Sequence, residues 1–110
     1  MGNTEFEKGT IFNYTERIDY AAGAVVSKIV LKKETGNITL FSFDKGQELS
    51  EHTAPFDAMV FIVDGEADII IGGKSNILKA GESIIMPANI SHSLKAVERV
   101  KMLLTMIKSK

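Results

Sequence analysis

The chain has 110 residues, of which 45% are hydrophobic and 25% charged, and a net charge of −1. This suits one globular domain with one core, 1–110, and leaves no room for a second. Thinly spread basic residues speak against a nucleic-acid groove, and the absence of cysteine excludes disulfides, thiolate nucleophiles and thiolate metal ligands. The opening MGNTEFEKGT lacks the apolar stretch of a secretory signal, and no apolar run reaches membrane-spanning length. The expectation is a cytoplasmic protein with no membrane or nucleic-acid partner.

Residues 1–22 are of mixed character, and Thr15–Ala22 offers at most a short helical turn before Gly23. From there the chain is a succession of short apolar runs rich in Val, Ile and Phe. These predict strands at Ala24–Lys33, Ile38–Phe43, Ala58–Asp64, Ala67–Ile71, Lys74–Leu78, Ser83–Met86, His92–Ala96 and Val100–Ile107. Turns are predicted at Glu34-Thr35-Gly36-Asn37, Asp64-Gly65-Glu66 and Gly72-Gly73. From Ala58 onward the predicted strands start every 7–9 residues, an all-β pattern of the barrel or sandwich kind.

Strand Ala58–Val63 is apolar on both faces, with Ala58, Val60 and Ile62 on one side and Met59, Phe61 and Val63 on the other. A barrel strand facing water would alternate apolar with polar. Its outer face therefore needs cover, either from the 1–22 segment or from another subunit, and a homodimer is the expectation. Met59, Met86, Met102 and Met106 read as core or interface filler.

Both histidines of the chain, His52 and His92, fall within this β pattern. Residues at even offsets in a strand share a face, which groups His52 with Ala54 and Ala58, and His92 with Ala96. Taken alone, two such histidines are ordinary half-buried rings bonded to backbone or water. Their setting says more. The stretches Gly46–Gly65 (GQELSEHTAPFDAMVFIVDG) and Gly81–Ala96 (GESIIMPANISHSLKA) resemble the two motifs of the cupin superfamily. Gly46, His52 and Gly65 fall on the first motif, and Gly81, Pro87 and His92 on the second. Asn89 stands where the family has glycine and Ala96 where it has asparagine.

The resemblance implies a cupin-type jelly-roll β-barrel with an internal pocket. It also implies a metal site of two His, one Glu and a third His, which map to His52, Ala54, Ala58 and His92. Alanine coordinates nothing, so half of that set is missing. Glu48 could complete a two-His-one-carboxylate set from the preceding loop, whereas Glu51 and Asp57 point away by alternation. Two readings follow. The first is a small-molecule-binding cupin of unidentified ligand, its pocket lined by His52, Ala54, Ala58, His92, Ala96, Phe41 and Phe56. The alternative is a small metal-dependent enzyme, of dioxygenase or isomerase type, holding a divalent transition metal with His52, His92 and Glu48. Metal-free histidine acid–base catalysis stays open as a third, and no residue is assigned a catalytic role. Neither a Ser-His-Asp set nor a glycine-rich phosphate loop is evident.

Overall fold

The apolar runs pair into two antiparallel sheets that face each other across one interior. In a computed structural model, which describes residues 5–108, a four-residue helix α1 (Tyr14–Arg17) precedes nine strands. These are β1 (Val25–Lys33), β2 (Gly36–Phe43), β3 (Glu48–His52), β4 (Ala58–Asp64), β5 (Glu66–Ile71), β6 (Lys74–Lys79), β7 (Ser83–Met86), β8 (His92–Ala96) and β9 (Val100–Ile107). One sheet has the order β1-β2-β9-β4-β7 and the other β3-β8-β5-β6. The all-β jelly roll expected from the sequence is the observed architecture.

All eight predicted strands are present, and β3 is an addition. Its sequence, Glu48-Leu49-Ser50-Glu51-His52, turns only Leu49 toward the interior among its first four residues. An edge strand with one apolar residue leaves no alternation to read. The predicted helical turn at Thr15–Ala22 lies one residue earlier and is shorter. The Asn13 side chain caps it by accepting from the Thr15 N–H at 3.0 Å.

Turn chemistry fixes the registers. Gly72 and Gly73 both have positive φ, the requirement of the tight turn that joins β5 to β6. Gly65 has φ +88°, and a Cβ there would lie 1.7 Å from the Arg99 carbonyl oxygen. Only glycine fits that close approach of the β4–β5 turn to the start of β9.

Two apolar clusters hold the fold. The first fills the space between the sheets and includes Phe43, Val60, Ile62, Ile69, Val100 and Met102, each at most 1% exposed. Burial of each such side chain stabilises the fold by roughly 1.5–3 kcal/mol before entropy is counted. The second lies outside the barrel, where Phe6 and Ile18 pack on Val30 and Leu40, flanked by Phe12, Tyr14, Ile38 and Leu103. The 5–24 segment thus straps the outer face of β1, β2 and the adjoining part of β9. Its polar ties are Phe6 N–H to Val30 O (3.1 Å), Lys101 Nζ to Thr15 O (2.7 Å), Ser42 Oγ to Asp19 O (2.8 Å) and Tyr20 Oη to Asp64 Oδ2 (2.6 Å). Burial first, and then the Asp64 carboxylate, hold the Tyr20 phenol protonated well above its usual range.

The strap stops short of the other half of that face. Met59, Ile85 and Ile107 remain 41%, 62% and 64% exposed. Of the two covers expected for the two-faced strand, the chain supplies its own over part of the sheet only. Among the described residues no helix is long and apolar enough to cross a membrane.

Candidate functional site

The two histidines meet as a direct cross-strand pair. β3 and β8 are antiparallel, with Glu48 opposite Lys95, Leu49 opposite Leu94 and His52 opposite His92, and a bulge between Leu49 and His52. The bulge shifts the strand's alternation, so that both Leu49 and His52 turn to the same space. His92 is 8% exposed, whereas His52 stands at the surface. The ring centroids are 4.3 Å apart at an interplanar angle of 70°, and the two Nε2 atoms lie 3.1 Å apart.

Hydrogen-bond accounting assigns the protons. His52 Nδ1 lies 2.9 Å from the Ser50 carbonyl, which can only accept, so that nitrogen carries the hydrogen. In a neutral His52 the Nε2 is then a lone pair, and His92 Nε2 must donate to it. This leaves His92 Nδ1 as a buried acceptor with no partner among the described residues. Burial, and after it the neighbouring His52, push the His92 imidazole below its ordinary value, which favours its neutral form. Hydrogen bonding to the Ile90 backbone opposes this shift, although no partner meets full bonding geometry at Nδ1.

Beneath the pair lies a cavity of about 50 Å³, lined by Leu49, Val60, Ile69, Met86, Ser93, Leu94, Met102 and Leu104 as well as His52 and His92. Five residues expected in the pocket from the sequence lie outside this lining. Ala58 and Ala96 belong to the packed interior, opposite Met86 and Ala67 in the ladders, and do not line the cavity. Phe41 packs against that core and stacks on Phe43 at 5.8 Å. Ala54 and Phe56 sit in the loop between β3 and β4, outside the lining. The grouping of His52 with Ala54 and Ala58 by even offsets fails for a simple reason. The chain leaves one sheet after His52 and enters the other at Ala58, so one strand's alternation does not run through both. The cavity is small because large residues fill the space that three alanines suggested was open. Val60, Met86 and Met102 line the space although the sequence reading placed none of them in the pocket.

The rim is held by backbone bonds. Asn89 N–H donates to Ala54 O at 2.7 Å, and Asp57 Oδ1 accepts from Ala88 N–H at 2.8 Å, which takes Asp57 out of the site. Asn89 has φ 66°, the left-handed conformation that asparagine adopts more readily than other non-glycine residues. This explains how the turn survives without the glycine of the motif.

A metal can be tested against this donor set. The 3.1 Å Nε2 separation is one that two imidazoles sharing a metal at about 2.0–2.1 Å would take. The count fails, however. Glu48 is exposed and paired opposite Lys95 on the outer side of β3, and no group of three His, Cys, Asp or Glu is assembled among the described residues. The donors present are two imidazoles, short of the three or four protein ligands that zinc and non-haem iron sites use.

A cupin domain profile matches residues 39–108. The chain belongs to the cupin family. Among solved structures, this cupin resembles a conserved Streptococcus pyogenes protein of unknown function. The two are 36% identical with a TM-score of 0.91, over 98% of this chain and 94% of that one. It also resembles a cupin 2 conserved barrel domain protein of Leptotrichia buccalis, at 44% identity and TM-score 0.86. That match covers 88% of this chain but 47% of the other, so this cupin spans about half of that protein's length. A cupin superfamily protein of Desulfitobacterium hafniense shares the fold at 23% identity and TM-score 0.86, over 97% of each chain. No curated protein matches this cupin in sequence.

Proposed function

We propose that this cupin is a metal-independent small-molecule-binding protein whose ligand is met by His52 and His92. The observation that carries the reading is the imidazole pair, with the His92 Nδ1 left without a hydrogen-bond partner among the described residues, standing at the exposed end of an apolar cavity. Small-molecule sites combine apolar walls with a few placed polar groups, and this site has that composition. At about 50 Å³ the cavity is far below the roughly 300–1,000 Å³ that engulfs a drug-sized molecule. The ligand therefore offers it a small apolar group and keeps its polar part beside His52. Ala54 and Ala58, standing where the family's metal ligands map, favour this reading over a metal centre.

The second reading, a metal-dependent enzyme using His52 and His92, draws support from the convergent Nε2 atoms alone. One experiment separates the two. Untagged protein purified without chelator is analysed for metal before and after reconstitution with Fe, Mn, Ni, Cu or Zn, alongside the His52→Ala/His92→Ala variant. Small fragments are then screened by NMR, using short-chain alcohols, amides and carboxylic acids as probes. Binding predicts substoichiometric metal and fragment-induced shifts at Leu49 and Leu104 that vanish in the variant. Stoichiometric metal, lost in the variant, would replace this reading with the enzymatic one.

A further inference from the structure

The proton count of the histidine pair does not close. Two neutral imidazoles bring two protons to their ring nitrogens. In one arrangement His52 Nδ1 donates to the Ser50 carbonyl at 2.9 Å, and His92 Nε2 donates to His52 Nε2 at 3.1 Å. His92 Nδ1 is then a lone pair without a partner among the described residues, on a side chain only 8% exposed. The Ile90 backbone lies close enough to favour a proton on His92, though short of full bonding geometry at Nδ1. Moving the His92 proton from Nε2 to Nδ1 would answer it, but two Nε2 lone pairs would then face each other across 3.1 Å. In either tautomer the pair is one donor short. A third proton would fill the gap at the cost of a charge, which burial of His92 and the neighbouring His52 both oppose.

The surroundings say which kind of donor fits. Apart from the two rings, no titratable side chain lines the cavity of about 50 Å³. An ammonium head would find no carboxylate there, and a carboxylate no cation, so either would lose its hydration without replacement. A hydroxyl brings a proton and no charge, and its carbon can rest on the apolar wall formed by Leu49, Met86 and Leu104. We propose, on the reading of this site as a small-molecule pocket, that the ligand meets the pair with a hydroxyl group, which opens the Nε2–Nε2 bond, donates to His92 Nε2 and moves the His92 proton to Nδ1. The balance is neutral: His92 gives up its Nε2 proton and gains one at Nδ1 by exchange with solvent, and the ligand keeps its own. His92 then has a use for both nitrogens, the Nδ1 proton turned to the Ile90 backbone and the Nε2 lone pair to the hydroxyl. His52 is exposed, so its ring has room to yield and its freed Nε2 can be met by water.

Probes of one skeleton test this in the full chain: 2-propanol, which donates, acetone, which only accepts, and isopropylammonium, which is charged, with acetate as the anion. The chain has only 2 histidines, so protein labelled with 15N in histidine gives a ring spectrum in which each tautomer is read directly. 2-Propanol is expected to bind at least about tenfold more tightly than acetone, the worth of one hydrogen bond to a group otherwise left unpaired. The same titration should convert His92 Nδ1 from an unprotonated to a protonated nitrogen and Nε2 the reverse. Acetone, acetate or isopropylammonium binding as tightly as 2-propanol, or 2-propanol binding with the His92 proton still on Nε2, would overturn the hydroxyl assignment and leave the small-molecule reading standing. Saturable binding of none of the four, together with stoichiometric metal in the purified protein, would overturn both.

Discussion

The two ends of the barrel interior are built from the same strands but obey different rules. At the Gly65 end, Phe43, Ile62, Ala67 and Val100 are wholly buried, and the β4–β5 turn touches the Arg99 backbone so closely that no side chain fits. At the histidine end three of the same strands carry Val60, Ile69 and Met102 around a gap of about 50 Å³, and a buried nitrogen is left without a partner among the described residues. The first end is packed to specify the fold. The second tolerates a void and an unsatisfied acceptor, two costs that a purely structural core avoids. Stability is concentrated at one end, and the ligand proposed above belongs to the other.

Substitutions can break that comparison. Gly65→Ala adds both a forbidden φ and a backbone clash, and should cost more than about 4 kcal/mol in urea unfolding or leave no folded protein. Phe43→Ala should cost about 3–5 kcal/mol by the same measurement. A matched pair of enlargements is more discriminating. Ala67→Val at the tight end should destabilise by about 1–3 kcal/mol, whereas Val60→Ile at the cavity should stay within about 0.5 kcal/mol of wild type. If the two costs came out equal, the contrast between the ends would be wrong.

At the rim, Asn89→Ala should cost about 1–2 kcal/mol, because alanine adopts the left-handed conformation less readily, and Asn89→Gly should be close to neutral. The smallest expected effect is a pH dependence. The His92 imidazole is held below its unfolded value, so between those two values the unfolded chain binds more protons. Stability from this group is therefore complete above the unfolded pKa of about 6.5 and declines as pH falls below it. Comparing urea midpoints of wild type and His92→Gln from pH 8 down to pH 5 isolates the contribution. The variant should show the flatter profile, and parallel profiles would show that the buried ring has no such effect.

Much of this was legible in the sequence. The eight apolar strands and the glycine turns follow from local alternation and from backbone conformations that few residues adopt, and the two motif stretches carry the resemblance to cupins. The site was legible only where it coincides with the motifs, at His52 and His92. β3 escaped because a polar edge strand has no pattern, and Leu49 escaped with it.

The sequence by itself determined which residues seek the interior, where the chain must turn, and that the two alanines at metal-ligand positions cannot coordinate. Only the tertiary structure decided which inward residues share one space. Cavities arise between strands distant in sequence, and the move from one sheet to the other between His52 and Ala58 resets the alternation that would have grouped them. Likewise, a strand apolar on both faces announces that something must cover it. How far the strap reaches, and that Met59, Ile85 and Ile107 lie beyond it, depends on where a folded chain of finite length ends its path across the sheet.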